Sequence, residues 1–140
     1  MSLDRIYLES DIQDISQLFH VKPLNQIHKE LEIQKPCIYY IVTDDELLQL
    51  NKQVLNHDYY TDIITFDYED DEDIDENEIV ISWDRIQDNA LTLKQDIQNE
   101  FNRVCIHGLL HLAGYKDKTK TEQLEMTKAE NKYLKKYCST

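Results

Sequence analysis

Apolar residues recur along this chain at two spacings, and each spacing predicts a kind of element. Four short runs rich in β-branched and aromatic residues read as strands: residues 5–10 ("RIYLES"), 37–43 ("CIYYIVT"), 61–68 ("TDIITFDY") and 77–83 ("NEIVISW"). Residues 11–34 place Ile12, Ile15, Leu18, Phe19, Leu24, Ile27 and Leu31 at helical spacing, interrupted near Pro23. Asp44–Leu55 continues as a helix whose first turn is acidic, the end where negative charge is favourable. Residues 84–98, 100–113 and 121–137 complete the helical set, the last with Leu124, Ala129, Tyr133, Leu134 and Tyr137 as its expected buried side. Four strands and about five helices predict an α/β (α+β) fold, a mixed four-stranded sheet packed with helices. The helix over 100–113 is apolar nearly all round, which places it centrally.

The length, 140 residues, suits one domain spanning 1–140 that needs no disulfide scaffold. No apolar run approaches the roughly 18 residues of a membrane span, and the first residues lack a signal layout, so a cytoplasmic protein is expected. Cys37, Cys105 and Cys138 are scattered without a CxxC pair and read as reduced thiols. The net charge of −13 is unevenly spread: residues 101–140 hold eight Lys or Arg against four Asp or Glu, residues 1–100 seven against 24. Part of that excess lies in the run 67–78, "DYEDDEDIDENE", which reads as a solvated loop. It lacks the spaced ligands and turn glycine of a calcium loop.

Within the central helix, His107 and His111 stand at i and i+4, so both imidazoles leave one face one turn apart. Gly114 supplies a helix stop that tolerates positive φ, and Asp117 follows three residues later. A buried helix with two hydrogen-bonded histidines would fit the same residues, but two imidazoles, a glycine stop and a carboxylate together point to a metal centre. Three protein ligands leave a fourth position open, the mark of a catalytic site. Zinc suits this set best, while nickel, manganese and iron accept similar ligands. Zinc peptidases share the histidine spacing but carry a glutamate general base after the first histidine. Here that position is Gly108, which can take no proton.

Together with an upstream block, these residues resemble the YbeY family of single-strand-specific endoribonucleases. The family hallmark HGxLHLxGyDH is similar to "HGLLHLAGYKDK" (107–118), and LNxxyRxkDxpTDVLSF to "LNKQVLNHDYYTDIITF" (50–66). The resemblance implies a mixed four-stranded sheet and one zinc ion per chain at His107, His111 and Asp117, open to a cleft. It implies cleavage of single-stranded and ribosomal RNA, in maturation near the small-subunit RNA 3′ end and in ribosome biogenesis, with no DNA substrate and no membrane. Thr61 and Asp62 match the family's Thr-Asp pair, with Asp62 as a base or as a partner of a ligand histidine. Tyr59 and Tyr60 are positioned to stack on unpaired bases. Two departures stand out. Asp117 replaces the family's third histidine, with Lys116 before it, and Leu55 replaces the family's arginine. His57, Lys116 and Lys118 are the cations placed to meet phosphate in its stead. Two other functions remain open at this stage: another zinc hydrolase, such as a peptidase or amidase, and a non-catalytic ribosome-assembly factor with a structural metal.

Overall fold

The computed structural model describes residues 5–57 and 61–138. Its sheet holds β1 (Ile6–Glu9), β2 (Cys37–Val42), β3 (Ile63–Phe66) and β4 (Asn77–Ser82) in the order β1-β2-β4-β3. β1, β2 and β4 run parallel, and β3 pairs antiparallel with β4 at the edge, so the sheet is mixed as expected. Six α-helices lie among the described residues: α1 (Ile15–Leu18), α2 (Val21–Glu30), α3 (Asp44–Leu55), α4 (Trp83–Thr92), α5 (Ile97–Leu112) and α6 (Lys120–Tyr133). A π-helical turn, Leu134–Cys138, follows α6.

Strand alternation divides the apolar residues between two faces. Ile6, Cys37, Tyr39, Ile41, Ile79 and Ile81 join the main core with Phe101, Val104, Cys105, Ile106 and Leu109 of α5. Ile64 and Val80 point to the other face, where they meet Leu47 of α3. α5 is therefore the central helix that its sequence predicted. It approaches the sheet closely at Gly108, where a Cβ would lie 2.9 Å from Ile79 Cγ2.

Several boundaries differ from the sequence pattern. The strand expected over 61–68 is paired only over Ile63–Phe66, and Trp83 opens α4 behind the N-cap Ser82, whose hydroxyl accepts from the Arg85 N–H at 3.2 Å. The helix expected over 84–98 stops at Thr92, and α5 starts at Ile97, ahead of the predicted 100. Lys94 takes the left-handed conformation (φ 54°) between them, and the Gln95 N–H donates to Ala90 O at 2.9 Å, closing a Schellman motif. Pro23 does not break a helix but sits in the first turn of α2, where its missing N–H costs nothing. In α6 the buried stripe is Met126, Ala129, Glu130 and Tyr133, while Leu124 is 65% exposed, contrary to expectation. Leu124 precedes Met126 by two residues, about 200° around the helix, so it faces away.

The acidic segment after β3 is a loop with residues 70–75 exposed, as expected, and its backbone is tied to the segment before β2. The Lys35 ammonium donates to the backbone carbonyls of Tyr68, Asp71 and Ile74. The Glu69 carboxylate accepts from the Gln34 and Lys35 N–H groups at 2.8 and 2.9 Å. A lysine from the β2 side thus fills the centre of the loop.

Candidate metal centre

The site is assembled from the last two turns of α5, the loop after it, and α6. Gly114, with φ 102°, ends α5, and the Tyr115 N–H donates to Leu110 O at 3.0 Å. This turn sends the chain back so that Asp117 faces the histidines. His107 Nε2 and His111 Nε2 lie 3.0 Å apart, and Asp117 Oδ2 lies 3.3 Å from each. These three are the one group of His, Cys and carboxylate donors among the described residues that converges tightly enough to hold an ion.

The outer contacts of the two rings decide what the inner atoms are. His111 Nδ1 faces the Tyr115 carbonyl at 3.1 Å. A carbonyl only accepts, so Nδ1 carries the proton and Nε2 is a bare lone pair. His107 Nδ1 faces Glu130 Oε2 at 2.6 Å, which gives the same tautomer. With both rings neutral, two lone pairs and a carboxylate oxygen converge with no hydrogen between them, an arrangement that a cation, a metal ion or a proton, relieves. A tetrahedral ion with ligand bonds of about 2.0–2.1 Å sets its donors about 3.3–3.4 Å apart, close to the triangle observed. The residues present therefore fit a divalent metal.

The surrounding charges favour a cation at this point, a proton on the ring or a metal ion beside it. Burial pushes the His107 pKa down, but the hydrogen bond and charge of Glu130, with Asp62 and Asp117, outweigh it and leave the value raised. The ring is thus held where positive charge is favoured. The side chains of His107, His111 and Asp117 are 20%, 27% and 40% exposed, so the centre opens to solvent.

It opens into a cleft of about 600 Å³ lined by Leu55, His57, Thr61, Asp62, Thr65 and Lys118 as well as the trio. The structure thus brings together seven of the eight site residues expected from sequence. Lys116 is not among them and lines a groove with Tyr115, Glu122 and Glu125 instead. Asp62 lines the cleft; its O accepts from the Ser82 N–H at 2.9 Å, and its Oδ2 lies 3.5 Å from the Asn89 amide. The Thr61 hydroxyl donates to Ile63 O at 3.3 Å. Tyr59 and Tyr60 lie outside the described residues. A larger groove, about 1080 Å³, runs beside α2 from Arg5 to Gln34, away from these donors.

Glu130 and Arg103 belong to the site but do not stand out in the sequence pattern. Contact with a ligand histidine, one of the two roles expected of Asp62, is made by Glu130 from α6. The signal was a carboxylate at the position four after Met126, inside the stripe that Ala129 and Tyr133 bury.

Comparison with known proteins agrees with this geometry. The family model "Endoribonuclease YbeY" matches residues 5–138. The endoribonuclease YbeY of Cytophaga hutchinsonii is 48% identical over 108 residues, covering 76% of this chain and 75% of that protein. That of Phocaeicola vulgatus is 47% identical over 96 residues, or 69% of each. The solution structure of TM1509 from Thermotoga maritima superposes with a TM-score of 0.64 at 26% identity, covering 94% of this chain and 91% of its own. With the model match spanning nearly the whole fold and the relatives' identity concentrated over two-thirds or more of it, the chain belongs to the endoribonuclease YbeY family.

Proposed function

We propose that this protein is a hydrolase that cleaves single-stranded RNA using one zinc ion held by His107, His111 and Asp117. Its proposed task is ribosomal RNA maturation near the small-subunit RNA 3′ end, in the cytoplasm, with the small ribosomal subunit as partner. The observation that carries the reading is the convergence of His107 Nε2, His111 Nε2 and Asp117 Oδ2 within 3.3 Å of one another in the wall of an open cleft. No helix among the described residues is long and apolar enough to cross a membrane.

When bound, the ion supplies Lewis acidity toward a phosphoryl oxygen. The chain's own groups supply the rest. Asp62 lines the cleft with the trio and takes the proton of the attacking oxygen. Lys118 and His57 line the same cleft and meet the phosphate, in place of the arginine that Leu55 displaces. Thr61 holds the Ile63 carbonyl and so fixes the approach to β3 beneath the substrate.

Peptide hydrolysis through a glutamate after the first histidine is sterically closed. A Cβ at Gly108 would already stand 2.9 Å from Ile79, leaving no room for a longer side chain. A non-catalytic assembly factor is favoured by Leu55 and the net charge of −13, and the same assay separates it. Zinc-loaded protein is offered a single-stranded RNA oligomer, that oligomer in a duplex, and single-stranded DNA of matching sequence. Cleavage of the first alone is expected, abolished by chelation and reduced about 10²-fold or more by Asp62→Asn. Binding of the RNA without cleavage would select the assembly factor.

A further inference from the structure

The two ligand histidines are braced in different ways. His111 rests on Tyr115 O, a neutral acceptor supplied by the end of its own helix. His107 rests on a carboxylate from another helix, Glu130 of α6, whose side chain is only 9% exposed. A carboxylate withdrawn from water is costly unless both oxygens find strong partners. Glu130 finds two. Oε2 accepts from His107 Nδ1 at 2.6 Å and Oε1 from Arg103 Nη1 at 3.0 Å. The guanidinium is itself tied down, donating from Nη2 to Asn131 Oδ1 at 2.8 Å. The carboxylate cannot turn without breaking one of these bonds. An apolar residue would pack equally well in a stripe with Met126, Ala129 and Tyr133, so packing does not account for a charge here.

We propose that Glu130 is the positioning residue of the metal centre. Steadied by Arg103, it locks His107 in the tautomer that leaves Nε2 bare toward the ion, and it adds negative charge from outside the ligand set. The proposal rests on the metal reading of the trio and goes beyond it, because Glu130 touches no ion. A carboxylate behind a ligand histidine raises the ring's basicity and fixes its orientation, and losing such a partner typically weakens metal affinity about 10–100-fold. Without it, His107 is free to carry its proton on Nε2, which must leave before an ion can enter.

The test uses the full chain, with zinc itself as the probe. Zinc affinity is measured by competition with a chelating dye for the wild type, Glu130→Gln and Glu130→Ala. In the metal-free proteins, ring-nitrogen NMR at about pH 8.5, roughly two units above the reference histidine pKa, reads the His107 tautomer. Glu130→Gln leaves one acceptor oxygen for two donors, His107 Nδ1 and Arg103 Nη1, and loses about tenfold in affinity through the missing charge. Glu130→Ala mixes the tautomers and loses about 100-fold. A purely structural role would lower thermal stability in both variants while leaving tautomer and affinity unchanged, and that result overturns the proposal. Should the alanine variant not fold, Glu130→Gln decides: a zinc affinity within about twofold of wild type, well short of the usual loss, overturns it. A wild type that binds no zinc would instead remove the metal reading beneath it.

Discussion

Gly108 shows how a single residue sets both packing and chemistry. It stands between the ligand histidines, where α5 crosses β4 and β3 at closest approach. A Cβ added there would meet Ile79 Cγ2 at 2.9 Å, Ile79 Cδ1 at 3.0 Å and Ile63 Cδ1 at 3.2 Å. Cγ2 belongs to a β-branched residue with a stiff χ1, on a strand with neighbours on both sides, so it cannot swing away. Replacing a helical glycine by alanine gains up to about 1 kcal/mol in propensity. Overpacking a tight core costs about 1–3 kcal/mol, and because the clash falls on a fixed atom the cost prevails. Gly108→Ala should therefore lower the thermal midpoint by several degrees, roughly what about 1–2 kcal/mol produces at this size. An unchanged or higher midpoint in a melting experiment would show that the helix can lift without penalty.

At the scale of elements, α5 carries one buried carboxyl of its own. Glu100 is 3% exposed, and its Oε1 has no hydrogen-bond partner among the described residues. Burial raises its pKa and the nearby Asp62 charge adds to this, while Arg103 and Asn89 oppose it without prevailing. A carboxyl raised in the folded state binds its proton more tightly there than in the unfolded chain. Its contribution to stability is present below the ordinary glutamate range and is lost as pH rises through the folded value. Glu100→Gln should thus raise the melting temperature at about pH 8 and change it little at about pH 4. A drop at the higher pH would mean that the charged form is stabilised by a partner. Helix ends explain where the sequence was hard to read. Three helices close with the same left-handed residue and backbone bond, at Glu32, Lys94 and Gly114, and a fourth closes at left-handed Asn56 with a bond one residue longer, from the His57 N–H to Asn51 O. Glycine at 114 announces its turn, whereas glutamate and lysine at 32 and 94 do not. That is why residues 84–98 looked like one continuous helix.

Across the whole molecule, strand alternation and the β-branched runs made all four strands legible, because each sets alternate residues against the main core. The two histidines and Asp117 were legible too, since one turn of helix and one glycine stop fix their spacing. Glu130 and Arg103 were not. Glu130 meets His107 from 23 residues away and Arg103 meets Glu130 from 27, through a packing of α6 on α5 that no local pattern reports. The charge map divides in the same manner. Acidic residues gather in a loop organised around Lys35, while Lys118 stands in the cleft and the last 40 residues carry eight cations against four carboxylates. Phosphate is drawn by such local charge more than by the net value of −13. The proposed function turns on His107, His111 and Asp117 holding an ion together. Elemental analysis of purified wild type and His111→Ala, both confirmed folded by circular dichroism, tests that directly. One equivalent of a divalent metal, zinc, is predicted in the wild type and none in the variant. A metal-free wild type, or a variant that keeps its full equivalent, would contradict it.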